Sequence, residues 1–112
     1  LVIVNQSPWG ATLPVVALRL VRAMTSDDVE IDGVYFRGDG VYNALPGRAT
    51  DNGTPNLAEE WIGLSESAGF SLLLCSSASS RRLDCAPGRG FREAGLAEVL
   101  SRMADCDRVV KL

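Results

Sequence analysis

Apolar and polar positions alternate along this chain in blocks that switch between two periods. Leu1-Val2-Ile3-Val4 is a continuous apolar run of the kind that suits a strand covered on both faces. Gln6 to Gly10 is turn material. Leu13, Val16, Ala17, Leu20, Val21 and Met24 then repeat at helical spacing. Thr12 is the expected N-cap, Pro14 fits the first turn, and Ser26-Asp27-Asp28 ends the helix. Val29 to Phe36 reads as a second strand whose interior Gly33 weakens, and Gly38-Asp39-Gly40 breaks it. Gly47 to Asn56 reads as an exposed loop. Asn56 and Glu59 form a capping-box pattern for a helix with a seam at Leu57, Trp61, Leu64 and Ala68, stopped by Gly69. Phe70 to Cys75 is the third strand, and Ser77 to Arg82 reads as a short helix. Asp84 to Gly90 is a loop. The last helix carries Leu96, Val99, Leu100 and Met103 on one face, and Arg108 to Leu112 closes as a strand.

Strand and helix alternate from end to end, which implies a mainly parallel sheet with helices on both faces. Four strands are expected, with a short fifth near Phe91. The 112 residues fit one domain with a core of its own.

Charge narrows the function classes. The net charge of −3 disfavours direct nucleic-acid binding, which calls for a basic face. Leu13 to Met24 is too short to span a bilayer and is interrupted by Arg19 and Arg22, so membrane attachment is disfavoured. No signal-peptide pattern is evident, and the expected location is cytoplasmic. The sequence contains no histidine, which removes Ser-His-Asp and Cys-His catalysis and most zinc sites. Cys75, Cys85 and Cys106 form no C-x-x-C pair, and an odd count without a secretory signal argues against a disulfide framework.

Cys75 is the candidate centre of chemistry. It ends the apolar run of the third strand and precedes Ser76-Ser77-Ala78-Ser79-Ser80 and Arg81-Arg82. In an open α/β sheet that position is the C-terminal edge, where such folds bind and react. Backbone amides at a helix start and nearby cations both lower a thiol pKa. The bland alternative is a buried strand-end cysteine, since free cysteine is among the most buried residue types. Arg81 and Arg82 either hold a thiolate or sit at a solvated helix C-terminus. Tyr42 and Asn43 follow the second strand on the same edge and either line a pocket or act as turn and packing residues. Cys85 is either a resolving thiol for Cys75 or an incidental loop cysteine.

Four motifs in order resemble the DsrE/TusD family of small bacterial sulfur-relay proteins. They are Gly40-Val41-Tyr42-Asn43-Ala44 after an aromatic strand end, the Leu-x-x-Cys strand end, Arg81-Arg82, and Cys106-Asp107-Arg108-Val109-Val110. The Trp9-Gly10 turn is similar to the family's aromatic-glycine turn. The resemblance implies a flavodoxin-like three-layer α/β/α fold with a mainly parallel sheet of four to five strands. It implies sulfane sulfur carried as a persulfide at the position of Cys75, with Arg81, Tyr42, Asn43, Ser76 and Ser77 as pocket or persulfide-stabilising residues, and no cofactor. It also implies a heterohexamer with TusB/TusC-like or DsrF/DsrH-like subunits, a sulfur donor like TusA, and an acceptor like TusE or DsrC. The segment from Arg82 to Gly90 is shorter than the family pattern, and Cys85 is foreign to it. Two rival readings stand beside this one: a scaffold subunit with a silent cysteine, and a flavin or nucleotide binder. The second lacks G-x-G-x-x-G and any Walker pattern.

Overall fold

A computed structural model describes residues 1–7, 13–44, 57–83 and 87–112. The expected Thr12 cap, the Trp9-Gly10 turn, the loop ending at Asn56, and Cys85 lie outside these. The strands are β1 (Val2–Val4), β2 (Gly33–Phe36), β3 (Ser71–Cys75), β4 (Phe91–Ala94) and β5 (Val110–Lys111). The helices are α1 (Leu13–Ser26), α2 (Leu57–Ala68), α3 (Ser76–Arg82) and α4 (Leu96–Asp105), and a 3-10 helix spans Gly38–Ala44.

All strand pairs are parallel, and the sheet order is β4-β3-β2-β1-β5. The fifth strand expected near Phe91 is β4. The three layers and the parallel direction are those expected, but the path differs from the 2-1-3-4-5 order of flavodoxin-type sheets. Three successive crossovers in one direction, from β1 to β4, place α1, α2 and α3 on one face. The return from β4 to the far side of β1 places α4 on the other.

The two faces have separate cores. On the first, Val2, Val4, Val34, Phe36, Leu72, Leu74 and Phe91 pack against Ala17, Leu18 and Val21 of α1, Ala58, Trp61 and Ile62 of α2, and Ala78 of α3. The Phe36 ring meets Trp61 edge-on at 5.4 Å and 81°. On the second, Leu1, Ile3, Tyr35, Leu73 and Ala94 pack against Val99, with Met103 and Cys106 at its margin.

Local chemistry sets the ends of the elements. Gly69 takes φ +80° after α2, and its amide donates to the Ser65 carbonyl at 2.7 Å. This is the expected glycine stop. Beyond the end of α1, Asp28 takes φ +61°, and the Val29 amide donates to the Met24 carbonyl at 2.9 Å in a Schellman-type closure. That closure corrects the expected second strand. Val29 belongs to the helix cap, so pairing begins only at Gly33, which starts the strand rather than interrupting it.

The stripe expected on α4 also needs correction. Val99 is buried, but Leu96 is 69% and Leu100 54% exposed. Among the described residues one helix, α4, covers this face of the sheet, and no second helix stands beside it to take those side chains. The opposite side of α4 is tied down by ion pairs: Arg92 to Glu98, and Arg102 to both Glu98 and Asp32.

Candidate functional site

β3 delivers Cys75 to the C-terminal edge of the sheet. Leu72 and Leu74 face the α1–α3 core and strand alternation turns Leu73 toward α4, while Cys75, at the strand end, packs against both cores. Leu73 is sealed, whereas Cys75 is half-buried, because the strand stops there and α3 begins at Ser76. Cys75 has extended backbone and occupies the N-cap of α3.

Burial pushes the Cys75 thiol pKa up. The hydrogen bond with Tyr35, the amides of Ala78 and Ser77, and the charge of Arg37 together outweigh it, and the net shift is downward. The sulfur makes no side-chain cap hydrogen bond in the strict geometric sense. The two observations are compatible because a neutral thiol is a weak acceptor, while its anion attracts the same donors more strongly. Tyr35 mirrors this. Burial, then the hydrogen bond to Cys75 and the repulsion of its charge, push the phenol up to about 12 against an opposing pull from Arg37. The phenol therefore stays protonated and donates.

Tyr35 reaches the thiol by register. It lies opposite Leu73 on the neighbouring strand and shares the α4 face with Cys75. Arg37 follows β2 and is exposed. The sequence reading placed Tyr35 only as a strand residue and did not single out Arg37. Period-two alternation was the available signal for Tyr35, but its value depends on knowing which strands are adjacent.

The expected site residues divide by distance from the thiol. Ser76 and Ser77 adjoin Cys75, and the Ser77 amide acts on it. Tyr42 and Asn43 lie on the 3-10 helix, which packs against α3 at the same edge. Tyr42 is half-buried. Asn43 is fully buried and its Nδ2 donates to the Gln6 carbonyl at 3.0 Å and the Gly40 carbonyl at 2.8 Å, so it ties the 3-10 helix to the end of β1. Arg82 pairs with Asp39 at 2.9 Å and joins α3 to the 3-10 helix. Arg81 stands exposed in the last turn of α3, and the cation that acts on the thiol is Arg37. Cys106 caps α4 and packs at the margin of the second core. Among the described residues no group of His, Cys, Asp and Glu side chains is placed to hold a metal ion, and no helix is long and apolar enough to cross a membrane.

This arrangement, a half-exposed thiol with several donors aimed at its anion, suits nucleophilic sulfur chemistry. The DsrE/DsrF-like family model matches residues 1–112. The chain belongs to that family. Among its relatives, the sulfurtransferase TusD of Salmonella newport is 29% identical over an alignment of 125 positions, covering 98% of this chain and 96% of the relative. The sulfurtransferase TusD of Cronobacter sakazakii is 28% identical over 108 positions, covering 85% of this chain and 84% of the relative. The crystal structure of the ychN protein from E. coli superposes with a TM-score of 0.85 at 22% identity, covering 99% of this chain and 97% of that one. That likeness concerns the fold.

Proposed function

We propose that this protein is a sulfurtransferase subunit of a cytoplasmic sulfur relay, carrying sulfane sulfur as a persulfide on Cys75. The observation that carries the reading is the half-exposed Cys75 thiol at the end of β3, surrounded by donors that favour its anion. Family membership and relatives named as sulfurtransferases support it. In loading, the Cys75 thiolate attacks the outer sulfur of a donor persulfide. The donor's S–S bond breaks, a new S–S bond forms to Cys75, and the donor leaves as a thiolate. Discharge to an acceptor thiolate is the same exchange in reverse, so the cycle needs no external oxidant or reductant. The donors around Sγ hold each anion without competing for the sulfur that moves.

The partners of this reading are related TusB/TusC-like or DsrF/DsrH-like subunits in a heterohexamer, a donor like TusA and an acceptor like TusE or DsrC. The sulfur goes on to tRNA thiolation or to sulfur oxidation, and affinity capture from the native host distinguishes these by the companions recovered. The direct test is mass spectrometry after incubation with a persulfide donor. A gain of about 32 Da on the Cys75 peptide, one sulfur atom, is expected and is lost in Cys75→Ser. No adduct under conditions that load a control persulfide carrier refutes the assignment and leaves a scaffold subunit with a silent cysteine.

A further inference from the structure

Tyr35 is a polar side chain placed in an apolar core, and the strand register sets it beside Cys75. The ring is 7% exposed and packs with Leu73, Ala94 and Val99 under α4. Parallel pairing sets it opposite Leu73, one alternation step short of Cys75, and both side chains pack in the core under α4, with the phenol close enough to act on the thiol. The amides of Ser77 and Ala78 approach that sulfur from α3, whose body lies on the opposite face of the sheet. Groups from two layers therefore favour the anion of Cys75, and Tyr35 supplies the only side-chain hydroxyl that acts on it among the described residues.

We propose that Tyr35 is a catalytic hydrogen-bond donor for sulfur discharge, holding Sγ of Cys75 as the leaving group when the outer sulfur passes to an acceptor thiol. The inference rests on the relay reading above. In discharge, the acceptor thiolate attacks the outer sulfur of Cys75-Sγ–SH. The Sγ–S bond breaks, its electron pair stays on Sγ, and the outer sulfur leaves with its proton on the acceptor. Nothing is oxidised overall. The charge that arrives on Sγ meets the Tyr35 hydroxyl already in place and in apolar surroundings, where a charge-assisted bond is strong. In the ionised persulfide the charge sits on the outer sulfur, one bond farther away, so Tyr35 favours the discharged state over the loaded one. Loading gains less from the same bond. A thiolate made more abundant by a lower pKa is also less nucleophilic, and the two effects largely cancel. The chemistry thus makes Tyr35 a device for letting sulfur go.

The test compares the wild type with Tyr35→Phe, which keeps the ring that fills the core. Both proteins are loaded with inorganic polysulfide, freed of donor, and mixed with excess dithiothreitol. Loss of the adduct of about 32 Da from the Cys75 peptide is followed by quenched-flow mass spectrometry. The variant is expected to discharge about 3- to 10-fold more slowly, the loss of one hydrogen bond to a charged sulfur. Alkylation of its unloaded thiol by iodoacetamide, at a pH where Cys75 is fully ionised in both proteins, is expected to be no slower. Equal discharge rates overturn the inference, as does an equal slowing of discharge and of high-pH alkylation, which marks mere disturbance of the site. Failure of the wild type to acquire any adduct overturns the relay reading and the inference with it. An adduct that both proteins release at the same rate overturns this inference alone.

Discussion

One chemical change, glycine to alanine, is expected to act with opposite sign at two positions. Gly40 sits in the 3-10 helix where that helix crosses the end of β1. A Cβ there would stand 2.2 Å from the Val4 carbonyl oxygen and 3.0 Å from its carbon. Ordinary carbon–oxygen contacts are about 3.3 Å or longer, so the backbone has to move by about 1 Å. The struck atom is a carbonyl that already accepts the Arg37 amide at 3.0 Å. Overpacking of this kind costs about 1–3 kcal/mol. The shift also loosens two bonds of Asn43, one tying the 3-10 helix to the Gln6 carbonyl and one within it to the Gly40 carbonyl, each worth about 1 kcal/mol. A total near 3–4 kcal/mol follows, a large fraction of a stability of about 5–15 kcal/mol. Gly63 faces solvent within α2 and a Cβ there meets nothing within 4 Å. Alanine at that helical position stabilises by about 0.5–1 kcal/mol. With a urea m-value of about 1.5 kcal/mol/M, Gly40→Ala lowers the unfolding midpoint by about 2 M and Gly63→Ala raises it by about 0.5 M. Urea titration followed by far-ultraviolet circular dichroism reads both. A Gly40→Ala midpoint within about 0.3 M of the wild type would refute the close approach of the 3-10 helix to β1.

Three further outcomes are expected. In a pH-jump titration of tyrosinate absorbance, the step removed by Tyr35→Phe falls near pH 12 rather than 10. Since the folded pKa is raised, the stabilisation linked to Tyr35 is complete below about pH 10 and lost as pH climbs through about 12; a step near 10 contradicts its burial. Arg37→Gln slows alkylation of Cys75 at neutral pH by a few-fold at low salt, and 1 M NaCl largely erases the difference because Arg37 is exposed and the Debye length shrinks to about 3 Å. A difference that ignores salt argues against a charge effect. The hydrogen bond from Arg92 holds the Glu98 carboxyl down to about 2. The stability linked to that depressed pKa is present above about pH 4.3 and disappears as pH falls through about 2, so urea midpoints of Glu98→Gln and wild type converge across that interval. A gap that stays constant with pH removes Glu98 from the account.

The parts of this fold that local chemistry controls were legible in the sequence, and the parts set by long-range adjacency were not. Gly69 announced the end of α2 because a left-handed residue is needed there and glycine supplies it freely. Cys75 announced the edge of the sheet because an apolar run gave way to serines. Tyr35 was hidden for a different reason. Its role depends on β2 lying beside β3 with residue 35 level with residue 73, and no local pattern encodes that register. Arg81 drew attention through proximity in sequence, while Arg37, distant in sequence and one strand over, is the cation that acts on the thiol. Leu96 and Leu100 show the limit of periodicity: it identifies one side of a helix, but whether that side is covered depends on how many helices share the layer.

The end of β3 is where the Cys75 thiol meets both layers of the fold. Cys75 packs against both cores: Tyr35 and Leu73 lie with it on the α4 side, while the amides that favour its anion come from α3, which packs on the other face. Within the sheet, donors of one layer cannot reach a side chain of the opposite layer, because the strands and their side chains stand between. At the last residue of β3 that wall ends. The chain turns into α3 directly, and the Ser77 and Ala78 amides of its first turn favour the Cys75 anion from there. One alternation step inward, at Leu73, the same face is completely sealed. A thiol there would be dry, distant from the α3 amides and out of reach of any partner. The strand terminus is thus the place where the phenol of one layer and the amides of the other both favour the anion of a thiol that solvent still touches.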